Sequence, residues 1–149
     1  MRSRLSIVCS SPEGQARLDR IAAELLERMP PDMAARLARR CLVFALDGTQ
    51  HAAFVQGMGG PQDAVTQLAI ERTRQGEAAA RAAEPVAVIV LQLVARWRQS
   101  LEHTLAHELG HVDLGHTEAS AVAAALMTDE ELTERERAAD AFAARYASW

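Results

Sequence analysis

The chain has 149 residues, 49% of them hydrophobic and 24% charged, with a formal net charge of −4. That length suits one domain of the usual size, about 100–150 residues; the apolar share excludes wholesale disorder, and no run approaches the ~20 apolar residues of a membrane span. The charge is uneven: residues 1–40 carry eight Arg against five acids, and residues 101–149 three Arg against ten acids, an acidic end that disfavours phosphate backbones and suits a divalent cation.

In chain order, residues 4–9 read as a short strand. Pro12-Glu13-Gly14 opens a helix with Leu18, Ile21, Ala22, Leu25 and Leu26 at spacings of three and four. Pro30-Pro31 stops it, and Asp32 is placed to cap a second helix through Arg40. Cys41 to Leu46 reads as a buried strand, Asp47-Gly48 as a turn, and His51 to Gln56 as a returning strand in a hairpin. Gly57-Met58-Gly59-Gly60-Pro61 breaks the chain, and Asp63 to about Ala83 has a helical pattern. Val86 to Val94, apolar and β-branched, is assigned to a strand. No repeat, low-complexity linker or second domain is visible, so residues 1–149 are read as one domain.

All sixteen basic side chains are Arg, with no Lys, no Asn and thirty Ala. This is the residue usage of a GC-rich, bacterial coding sequence. The apolar stretch at Ile7-Val8-Cys9 is too brief for a secretory signal, so the cytoplasm is the expected compartment. Cys9 and Cys41 have neither metal half-site nor disulfide-framework spacing and are read as small buried hydrophobes.

Chemistry enters at His107-Glu108-Leu109-Gly110-His111. Leu101, Leu105, Leu109 and Val112 make one apolar helical face, and His107 and His111 point nearly opposite to it, one turn apart. That spacing lets two imidazoles meet one tetrahedral Zn²⁺, with Glu108 beside them as proton acceptor for an attacking water. A catalytic zinc site also needs a third protein ligand, and three residues compete for the place. His116 lies just past Gly115, but a metzincin would have glycine and histidine where Leu114 and Thr117 stand, so His116 reads better as a helix-end or cleft-rim residue. His103 lies about 12 Å along the axis from His111, too far to share the ion, and reads as solvated or at the cleft mouth. Glu136 is favoured. In Glu136-Arg137-Ala138-Ala139-Asp140 the residues Glu136, Ala139, Asp140 and Ala143 share a helical stripe whose alanines permit close approach to the His107 helix. Asp140 would accept the free ring N–H of His107, as outer carboxylates do for metal-bound histidines. The competing account of Glu130, Glu131, Glu134 and Glu136 is an acidic helix start favoured by the helix dipole.

H-E-L-G-H followed by E-x-x-A-D is similar to the thermolysin-type glutamate zincins. Thr104 to His111, with Glu136-Arg-Ala-Ala-Asp140-Ala-Phe142-Ala143-Ala144, resembles more specifically the ImmA/IrrE family of bacterial metallopeptidases. The resemblance covers about residues 104–144. It implies an intracellular zinc endopeptidase, often one that cleaves a helix-turn-helix repressor, with His107, His111 and Glu136 as ligands and Glu108 as general base. Asp113 and Gly115 stand where that family favours aliphatics.

The expected protein is thus an α+β zincin-like domain (a mini-gluzincin) with a small sheet and a zinc site on two C-terminal helices. It would hydrolyse a protein or peptide that adds as a strand beside Val86–Leu93 or Cys41–Leu46, with an oxyanion donor drawn from Tyr146, His103 or His116. No membrane or nucleic-acid partner is expected. Two other readings compete: a zincin-like module that holds metal with little catalysis, and a repressor- or DNA-associated adaptor using the Arg-rich first forty residues.

Overall fold

A computed structural model of the chain describes residues 3–9, 12–47, 53–55, 87–93, 101–116 and 126–147. The Gly57–Pro61 break, the turn at Gly48 and the helix expected from Asp63 to Ala83 lie outside the described residues. Among the described residues eight elements follow in order: β1 (Ser6–Cys9), α1 (Pro12–Arg28), α2 (Pro31–Arg40), β2 (Cys41–Asp47), β3 (Ala53–Val55), β4 (Ala87–Leu93), α3 (Leu101–Asp113) and α4 (Asp129–Tyr146). They make a small α+β fold. No helix among the described residues is long and apolar enough to cross a membrane.

The helices end where the sequence chemistry says they should, with one difference. Pro31 occupies the first turn of α2, where a missing N–H costs nothing, and Pro30 is the N-cap with no side-chain capping bond. Asp32 therefore sits inside the first turn, where its charge suits the helix dipole, and does not cap. At the other end β2 starts at once: the Cys41 N–H closes α2 on the Leu37 carbonyl while Cys41 is already extended. Cys41 is buried as expected, whereas Cys9 is only half-buried.

The sheet order is β1-β2-β4-β3. β1 and β4 both run parallel to β2, and β3 runs antiparallel to β4. The expected β2–β3 hairpin is thus wrong, because β4 lies between those strands. Cys41–Asp47 pairs with Ala87–Leu93 along its whole length, whereas β3 offers only Ala53–Val55, so the longer apolar ladder takes the place beside β2. For the same reason neither strand expected to receive substrate has a free edge; the edges are β1 and β3. β1's outer edge is already engaged. Gln15 Nε2 donates to the Ile7 carbonyl at 2.9 Å, and Gln15 Oε1 accepts from the Cys9 N–H at 3.0 Å, as a neighbouring strand would.

One register row runs Ile7, Val43, Ile89, Val55 across the sheet. Val43 and Ile89 are fully buried, as are Cys41, Ala45 and Leu91, in one core with Leu18, Ala22, Leu25 and Leu26 of α1 and Leu101, Leu105, Leu109 and Val112 of α3. α4 packs along α3. Gly110 makes that approach possible: a Cβ there would lie 3.0 Å from Cβ and Cγ of Phe142. The uneven charge is used within the molecule as well. Arg36 of α2 pairs with Asp113 of α3 at 2.6 Å. Arg28 of α1 pairs with Glu102 of α3 and also donates to the Tyr146 carbonyl at the end of α4, at 3.3 Å.

Candidate metal centre

Two packed helices build the site. α3 carries His107 and His111 on the side facing α4, because its apolar stripe is committed to the sheet core. α4 starts at Thr128, whose hydroxyl caps the Glu131 N–H at 3.1 Å. The acidic first turn comprises Asp129, Glu130 and Glu131. Glu136 and Asp140 lie beyond it, so the dipole of that helix start does not account for them. Ala139 and Ala143, both fully buried, let this stripe of α4 lie close against α3.

His107, His111 and Glu136 converge, with one ligand atom from each within 4.8 Å of the others. The two Nε2 atoms face each other at 3.2 Å. Glu136 Oε2 lies 2.9 Å from His107 Nε2, and Oε1 lies 3.1 Å from His111 Nε2. Tetrahedral zinc with bonds of about 2.0–2.1 Å would set its nitrogen ligands about 3.3–3.4 Å apart, so the three groups are already spaced for such an ion. Two neutral imidazoles and a carboxylate are a donor set that zinc accepts.

The remaining ring nitrogens are held from outside. His107 Nδ1 lies 2.7 Å from Asp140 Oδ1, as the sequence led us to expect. His111 Nδ1 lies 2.9 Å from His116 Nδ1. His116 is therefore bound to the back of a candidate ligand ring and stands apart from the converging trio. His103 departs from its reading as a solvated residue: it is 4% exposed, with Nε2 3.9 Å from Asp140 Oδ1. The cause is α4, which covers the face of α3 that carries it. Tyr146 is also displaced from its expected place. It is buried in the core with its ring against Phe142, and stands ten residues, about 15 Å of helix, beyond Glu136, so it is no oxyanion donor.

Burial sets the protonation of the site. His111, 1% exposed, is pushed down to about 4, first by desolvation and then by the neighbouring His107, His116 and Arg135. It is neutral near pH 7, as a ligand must be. His103 and His116 are also shifted down, each chiefly by burial. Glu108, adjacent to His107 and 7% exposed, is pushed up to about 7; desolvation dominates and the Glu136 carboxylate adds to it, against the opposing pull of His107. A carboxyl group poised near neutrality can both take and return a proton.

Sequence reasoning missed three parts of this arrangement. Gly110 was only an unconstrained position of the motif. Arg135, whose Nη1 donates to the His116 carbonyl at 3.0 Å, gave no signal at all. His116 was legible as a helix-end residue, but the Gly115 turn that places it was not. Compared with family models, curated proteins and solved structures, the chain matches none.

Proposed function

We propose that this chain is a zinc-dependent endopeptidase with a zincin-like fold, similar to the ImmA/IrrE metallopeptidases. One observation carries the reading: both His Nε2 atoms and the Glu136 carboxylate converge on one point, with the buried Glu108 on the same helix. When bound there, zinc supplies a Lewis acid that polarises a carbonyl and makes water nucleophilic near neutral pH. Glu108 accepts the proton of the attacking water on its carboxylate and returns it to the leaving amine, which its near-neutral pKa permits. Asp140 keeps His107 Nδ1 protonated and so leaves Nε2 free to ligate.

An extended peptide is the substrate class that fits. β3 is an antiparallel strand at the sheet edge and packs against α3, which suits a substrate adding as the next strand. A regulatory protein such as a repressor is the substrate that the family resemblance suggests. The test is hydrolysis of a quenched peptide library by zinc-loaded protein beside Glu108→Gln. Cleavage by the parent, reduced by about 10²–10⁴-fold in a variant with full zinc, supports the reading. Equal cleavage by both would mean that the activity does not belong to this site.

A further inference from the structure

The end of α3 is closed by a specific backbone device. Gly115 has φ 77°, a left-handed conformation that favours glycine. Its N–H bonds the Val112 carbonyl at 3.1 Å, and the N–H of His116 bonds the His111 carbonyl at 2.9 Å. These two bonds are the pair that defines a Schellman motif, in which the residue after the left-handed one returns to the last turn of the helix and its side chain meets the residue five positions back. That contact is ordinarily apolar. Here the two residues are His116 and His111, and the contact is Nδ1 to Nδ1 at 2.9 Å.

Two nitrogens at that separation share one proton, so one ring donates and the other accepts. A His111 that ligates through Nε2 must carry its proton on Nδ1, which leaves His116 Nδ1 as the acceptor. His116 is held for this role from two sides, by the motif's own backbone bond and by Arg135 Nη1 on its carbonyl. Arg135 directly precedes Glu136, so the residue that fastens this turn comes from the helix that supplies the third ligand.

We propose that His116 is a positioning residue: placed by the Gly115 turn, it accepts the Nδ1 proton of His111 and fixes that ring with Nε2 toward the metal. This rests on the metal-site reading above and assigns His116 a part within it. Because His116 meets the edge of the ring opposite Nε2, it does not compete with Glu136 for the ion.

The experiment combines an isotope measurement with a competition titration. In the unaltered chain with ¹⁵N-labelled histidine, a ¹⁵N–¹⁵N coupling across the hydrogen bond should link His111 Nδ1 to His116 Nδ1. Zinc affinity is then measured against a chromophoric chelator for the parent, His116→Ala and His116→Asn. Asn is the informative variant, because its Oδ1 lies where histidine Nδ1 does and accepts a proton. The expected result is about 10–100-fold weaker zinc binding in His116→Ala, substantial recovery in His116→Asn, and thermal stability of the metal-free variants close to the parent's. Parent-like affinity in His116→Ala, no recovery in Asn, or no coupling between the two rings would overturn the proposal and leave the metal site standing. Failure of the parent itself to bind zinc would overturn both.

Discussion

Gly110 shows how a single hydrogen atom governs this site. Its missing Cβ is the space that Phe142 fills, and Phe142 stands six residues beyond Glu136 on the same helix, so a shift of α4 away from Gly110 would carry the candidate ligand with it. In Gly110→Ala, overpacking costs about 1–3 kcal/mol, while better helix propensity returns ~1 kcal/mol. The expected net is a loss of about 1 kcal/mol in denaturant unfolding, with weaker zinc binding; a variant unchanged in both would show that α3 and α4 do not depend on this contact. Glu108 and His111 supply a pH signature. Relative to their ordinary values of 4.5 and 6.5, burial raises Glu108 to about 7 and lowers His111 to about 4. The His111 contribution to stability is therefore present above pH 6.5 and lost as pH falls toward 4. The Glu108 contribution is present below pH 4.5 and lost as pH rises through 7. In the metal-free parent the two slopes oppose each other between those limits. Glu108→Gln leaves the slope of the downward-shifted histidines, His111 with His103 and His116, so its melting temperature should fall relative to the parent on acidification and exceed the parent's at pH 8. Parallel melting curves for the two proteins across pH 4–8 would refute this assignment.

At the scale of elements, what could be read in advance was what depends on local pattern. The spacing of Leu18, Ala22, Leu25 and Leu26 gave α1 its buried face. The proline pair marked the α1–α2 junction, and the apolar run at 87–93 gave β4. The partner of β3 was not legible, because pairing is settled by competition between strands: a hairpin with β2 is the local solution, and the longer β2–β4 ladder displaces it. The burial of His103 was hidden for a related reason, since the helix that covers it begins some twenty-five residues later in the chain. Gln15 is the element-scale contact with the clearest cost. Gln15→Leu would leave the Ile7 carbonyl and the Cys9 N–H on the outer edge of β1 without this partner. It should destabilise the fold by about 1–3 kcal/mol in denaturant unfolding while leaving zinc affinity untouched. A change in zinc affinity would show that β1 and the site are coupled.

Across the whole molecule, the candidate metal site and the sheet are joined through α3, which gives its apolar face to the core and its histidines to α4. Arg28 and Arg36 bind the first two helices to that same helix. The basic N-terminal third and acidic C-terminal third, which first suggested a surface for a cation and an alternative surface for nucleic acid, thus complement each other partly within the fold. The trio itself was legible because the i, i+4 histidine spacing and the stripe from Glu136 to Ala143 are properties of single helices. Only their convergence required the structure. Whether this convergence holds one zinc ion is read from the zinc content of the purified protein after loading and exhaustive dialysis, beside Glu136→Ala treated identically. One zinc per chain in the parent, lost from Glu136→Ala, is the predicted result. No retained zinc in the parent, or full retention in Glu136→Ala, would contradict it.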